Sequence, residues 1–223
     1  MRVLALPVLA EESLNLLVGY TDFFLAGRFL AGDEPLAAMG LVAYFLWVLP
    51  TMFQVVSIGA LAVVARMVGA GQRHDAAHAT RQALLAGVIV AAIALLVVLT
   101  GGSAFVQAMG LRGEAARLSV RYIWIIAPVI PFIMIEQVGT ACLRGAGDTY
   151  SGMLARIVLN LVDMLLSAAL VTGIGPFPSL GWDGLAIGSA VGHVIGGSII
   201  LGRLVRGGGG VSIADLRGER APW

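Results

Sequence analysis

Long apolar stretches alternate with short polar connections along this chain, and the length of the stretches selects a lipid bilayer as their solvent. A hydrocarbon core about 30 Å thick takes about 20 residues of helix at about 1.5 Å each. Six stretches meet that length, at about 3–27, 36–65, 83–109, 122–143, 150–172 and 184–204. Gly32, Asp33 and Pro35 form the first turn. The second connection, GAGQRHDAAHATRQ, belongs in water because of Arg73, His74 and Asp75. GLRGEAARLSVR, LRGAGDT and GIGPFPSLGWD complete the set, and Trp182 in the last suits the membrane interface. Arg2 before VLALPVLA imitates a signal peptide. Glu11 and Glu12 interrupt that run early, however, and the apolar pattern continues past them, so it reads as a spanning helix. The expected architecture is all-α: one transmembrane bundle over 1–206, then a polar tail or truncated linker over 207–223.

Composition strengthens this reading and removes others. Of the 223 residues, 59% are hydrophobic and 12% charged, whereas a soluble domain carries about one quarter charged residues. The 30 glycines suit helices that approach closely in lipid. Net charge is +1, every basic residue is Arg, and no basic run marks a nucleic-acid surface. With the N-terminus inside, ten Arg fall on the cytoplasmic side and four on the other, which supports N-in, C-in. Cys142 is the only cysteine, so an internal disulfide and a Cys-built metal site are excluded. His74 and His78 have ligand-like spacing, but a solvated helix start explains them better, and no metal site is expected. No cluster combines a nucleophile or metal ligands at a convincing spacing, so neither an enzyme nor a cofactor is expected.

The informative residues are the polar ones inside the apolar stretches. An ionised acid at mid-membrane costs about 2.5–3.5 kcal/mol on insertion scales, so it usually faces a partner or an aqueous cavity. Glu11, Asn15, Val18 and Asp22 fall in steps of four, three and four, on one helical stripe. Arg156, Asn160, Asp163 and Ser167 form a second stripe on the fifth helix. Matching stripes suggest a polar cavity in a bundle; the alternatives are that Asp22 snorkels to the surface and that Arg156 neutralises Asp163. Glu136 follows Pro128 and Pro131, which bend the fourth helix and create either a site or a plain kink. Gln54 shares a stripe with Trp47 and Ser57, suiting either a substrate path, with Tyr20, or interhelical hydrogen bonds. Gly184, Gly188, Gly192 and Gly196 recur every four residues and make a smooth packing ridge. His193 lies beside that ridge, where helix packing competes with proton handling.

The segments LALPVLAEESLNLLVGYTDFFLAGRF, PLAAMGL, GAG, ACLRGAGDT and NLVD, in that order and on those helices, resemble the N-terminal half of the multidrug and toxic compound extrusion (MATE) transporters. The resemblance covers Leu4 to about Arg206. It implies half of a twelve-helix fold, and a multi-pass antiporter of the bacterial inner membrane that expels organic, often cationic, compounds in exchange for H⁺ or Na⁺. On this resemblance Asp22, Asn160 and Asp163 are the cation-coupling residues. Tyr20, Gln54, Glu136 and His193 are candidates for the substrate path, with Glu11 and Asn15 secondary. The expected partners are the bilayer, a small organic substrate, and a second six-helix bundle or a second copy. Two other functions remain open: a transporter of lipid-linked or amphipathic molecules, and a membrane subunit that does not transport.

Overall fold

The computed structural model describes residue 17 and residues 19–214; Glu11 and Asn15 lie outside the described residues. The described chain is helical. A first helix, α1, covers 19–29. Five more are long and apolar enough to cross a membrane: α2 (Glu34–Gly69), α3 (Arg73–Ala108), α4 (Gly113–Gly145), α5 (Thr149–Thr172) and α6 (Trp182–Val205). At 36 residues α3 is about 54 Å long, more than a hydrocarbon core needs. Its opening turns are the polar stretch RHDAAHATRQ, which is helical here.

Proline sets the irregularities. Pro50 lacks the N–H that would bond one turn back, and α2 bends just after it, at Met52 and Phe53. In α4, Pro128 sits within a tight 3₁₀ turn at Ala127–Val129 and Pro131 follows it. The helix then widens into a π turn over Ile135–Gly139, which carries Glu136. Single π turns of this kind are frequent at functional sites. Trp182 is buried in the bundle. Its indole N–H donates to the Leu118 carbonyl at 2.8 Å and its ring meets Tyr122 edge-on.

The tightest packing joins α5 to α6, and the glycine ridge makes it possible. A Cβ at Gly184 would lie 2.8 Å from the carbonyl carbon of Leu170, one at Gly188 2.8 Å from the backbone nitrogen of Ser167, and one at Gly192 3.0 Å from the Leu159 carbonyl oxygen. As the glycine number rises the partner number falls, so the two helices run antiparallel with backbones nearly touching. Gly197 meets Phe132 of α4 in the same way, at 2.9 Å from its carbonyl oxygen. α6 is thereby clamped between α4 and α5.

One end of α5 is fastened by a polar cluster centred on Asp148, just outside the span. Asp148 caps the helix, accepting from the Ser151 amide at 3.0 Å and its hydroxyl at 2.7 Å. Arg203 of α6 donates to Asp148 at 3.0 Å and to the Ser151 hydroxyl at 2.7 Å. Burial opposes ionisation of Asp148, but the Ser151 hydroxyl and amide and the Arg203 guanidinium outweigh it and hold the carboxyl below its ordinary pKa.

Two predictions follow from this packing. Gly188→Ala should lower the stability of the purified chain by about 1–3 kcal/mol, the usual cost of overpacking. Gly40→Ala, where a new Cβ meets nothing within 4 Å, should leave it unchanged; thermal unfolding in detergent compares the two. For Asp148 the native pKa lies below the unfolded value, so its stabilisation is full above about pH 4 and fades as pH falls through the native value. Asp148→Asn should therefore be less stable than the parent at neutral pH, with the gap closing in acid.

Candidate functional site

The α5–α6 contact gathers polar groups that are far apart in sequence. Asp163 of α5 is 4% exposed. Its carboxylate accepts from the Ser167 hydroxyl at 3.0 Å, one turn along the same helix, and from the Ser189 hydroxyl of α6 at 3.1 and 3.2 Å. Ser189 in turn accepts from the Tyr122 hydroxyl of α4 at 2.9 Å. Three helices therefore converge on one carboxylate. Asn160, also buried, lies one turn before Asp163 on the same stripe.

Asp22 of α1 is buried too, at 5% exposure, and lies within electrostatic reach of both Asp163 and Tyr122. Its Oδ1 has no hydrogen-bond partner among the described residues. Buried polar atoms are nearly always paired, and an orphan usually signals a bound group or a functional role. Two negative charges buried this close repel, so the pair is suited to share one cation or one proton. The snorkelling alternative for Asp22 does not describe this burial.

A second cluster occupies the next turns of α5 and α6. Glu136, in the π turn of α4, has both carboxylate oxygens beside Nδ1 of His193, at 3.1 and 3.2 Å. Arg156 stands 3.7 Å from Glu136 Oε2, a partner that the stripe on α5 did not name. A small crevice of about 10 Å³, room for about one water, lies here, lined by Glu136, Thr140, Gly152, Arg156, Leu159 and Gly196 among others. Tyr20, 73% exposed, and Gln54, also exposed, stay on the surface of the bundle, apart from both clusters.

Tyr122 and Ser189 were not singled out from sequence. Tyr122 falls at the expected start of a span, but α4 begins nine residues earlier, at Gly113, which draws the tyrosine into the bundle. Ser189 lies one turn before His193 beside the glycine ridge, the only sequence signal that it faces α5.

Sequence comparison matches a family model described as MatE over residues 7–169. Similar curated relatives include a probable multidrug resistance protein NorM of Thermotoga maritima, 28% identical over 88% of this chain and 42% of that protein. A protein of the same name in Synechococcus is 33% identical over 85% and 40%. The chain thus spans about two fifths of the length of these relatives. Among solved structures, the outward-facing conformation of a multidrug resistance MATE family transporter superposes with a TM-score of 0.84 at 23% identity, covering 97% of this chain and 48% of that one.

The hydroxyl chain yields its own test. Ser189→Ala would strip Asp163 of a donor and leave the fully buried Tyr122 hydroxyl unpaired, a loss of about 1–3 kcal/mol. Tyr122→Phe, which leaves Ser189 on Asp163, should cost less, about 0.5–1.5 kcal/mol. Unfolding of the two variants in the same detergent should preserve that order.

Proposed function

The chain belongs to the MatE family, whose members are transporters and not enzymes, and on that premise we propose that it is the N-terminal bundle of a cation-coupled exporter of organic, chiefly cationic, compounds. The observation that carries this reading is the orphaned Oδ1 of Asp22, buried within electrostatic reach of Asp163. A buried acceptor without a donor, beside a second carboxylate, is a place for positive charge. Asp22 and Asp163 hold the coupling H⁺ or Na⁺, with Asn160 beside them. Ser167, Ser189 and Tyr122 fix the Asp163 carboxylate so that it changes charge without changing place.

Binding the cation cancels the repulsion between the two acids and lets α1 close on α5. Releasing it restores the repulsion and drives the elements apart, which links ion occupancy to the shape of the bundle. Export itself needs two bundles moving against one another. The chain therefore works with a second six-helix bundle or a second copy of itself, in the inner membrane of a bacterium with both termini in the cytoplasm.

Proteoliposomes test the reading with a fluorescent organic cation as substrate and imposed H⁺ or Na⁺ gradients. The parent should move the dye against one of the two gradients, and the gradient that works names the ion. Asp22→Asn and Asp163→Asn should each abolish the coupled flux. Equal gradient-driven transport by parent and both variants would sink the assignment.

A further inference from the structure

We propose that residues 207–213 are a strap that clamps one end of the bundle, binding the ends of α3, α4, α5 and α6 into one body. In sequence, GGGG at Gly207–Gly210 opens the expected tail, and a glycine run of that kind ordinarily behaves as a flexible spacer. Here it is packed. Gly208 is buried, Val211 is 2% exposed and belongs to the hydrophobic core, and Ile213 packs against that core.

The chain folds back on itself to reach this position. After α6 ends at Val205, the amides of Gly210 and Val211 donate to the carbonyls of Gly207 and Gly208 at 3.0 and 3.2 Å. The Ile213 amide then donates to the Leu204 carbonyl at 3.1 Å, and the Ser212 hydroxyl to the Val205 carbonyl at 3.0 Å. Leu204 and Val205 are among the last four residues of α6, whose carbonyls have no partner within the helix. The strap therefore caps α6 as it doubles back over its end.

Successive glycines reach different elements. A Cβ at Gly208 would lie 2.7 Å from Leu143 Cδ2 of α4 and 3.1 Å from Oδ2 of Asp148, the cap of α5. At Gly209 it would meet the Ala146 carbonyl oxygen at 2.8 Å, in the turn between α4 and α5, and the φ of 64° there is one that residues with a Cβ rarely adopt. At Gly210 it would come 2.5 Å from Nη1 of Arg73, the first residue of α3. Four helices thus meet one short segment. Gly208 also lies against the carboxylate that holds Ser151 and Arg203, so the strap covers the polar cluster at that end.

Entropy separates a clamp from a loose tail. Fixing a glycine backbone costs more conformational freedom than fixing any other residue, so a glycine run stays ordered only where its contacts offset that loss. Buried Val211, the Ile213 side chain, the backbone hydrogen bonds and the close approach to Ala146 offset it here. A displacement of the chain beyond Ile213 therefore reaches α3 and the α4–α5 turn as well as α6. The clamp is independent of the ion chemistry at Asp22 and Asp163, and its failure would leave the proposed function standing.

Hydrogen–deuterium exchange of the whole chain in lipid nanodiscs, read by mass spectrometry, tests the clamp. In the parent, peptides holding the amides of Gly210, Val211 and Ile213 should exchange more slowly than an unstructured peptide of the same sequence. Gly209→Val sets a branched side chain on the Ala146 carbonyl, and it should abolish that protection while speeding exchange at Ala146, Gly147 and Asp148 and in the opening turns of α3. Val211→Ser removes the buried apolar anchor without adding bulk and should have the same effect, which keeps the test decisive should Gly209→Val fold poorly. Exchange over 184–192 of α6 should hold its parental rate in at least one of the two. An unprotected strap in the parent overturns the clamp, and so does a loss of protection confined to 207–213. Loss that spreads to 184–192 in both variants overturns it too, because the segment would then belong to the core of the whole bundle and not to a clamp at one end.

Discussion

Close approach of α5 and α6 is the constraint on which the rest of the bundle depends. In lipid there is no hydrophobic gain from bringing two apolar helices together, so association relies on packing and polar contact. Glycine at every fourth position of α6 removes the side chains that would hold the helices apart, and the backbones come within van der Waals distance from Gly184 to Gly192. Ser189 and His193 ride on the same helix, so the spacing that permits contact also fixes which polar groups meet α5. A larger residue in the ridge would disturb the packing and the site together.

The stripe analysis found Asp22, Asn160 and Asp163 because a helix places every third or fourth residue on one face. It could assign each residue a face but no partner. Which face of α5 meets which face of α6 is a tertiary fact, carried here by the glycines. The Ser189 and Tyr122 hydroxyls became visible only once α4, α5 and α6 were brought together. Arg156 shows the same limit from the other side. Its position one turn before Asn160 suggested that it neutralises Asp163; the π turn also brings Glu136 within 3.7 Å of it, which the stripe could not foretell. Prolines at 128 and 131 announced an irregular helix; that the irregularity would take the form of a π turn aiming an acid at His193 was not legible in them.

Both polar clusters are built from elements of this one bundle: α1, α4, α5 and α6 supply every residue named in them. Ion chemistry and transport therefore place different demands on the molecule. On the proposed reading, cation or proton binding needs only the convergence of these four helices, whereas moving a substrate across the membrane needs a second body for the bundle to move against. A cation held by Asp22 and Asp163 can act on that second body only through the shape of the bundle. The rigid α5–α6 pair cannot provide such a change, since its backbones have no room to slide without collision. Asp22 of α1, one of whose oxygens has no hydrogen-bond partner among the described residues, lies within electrostatic reach of Asp163 of α5. On the proposed coupling, occupancy of the acid pair makes the bond that Asp22 lacks, which puts the response in α1 rather than in the close-packed α5–α6 core.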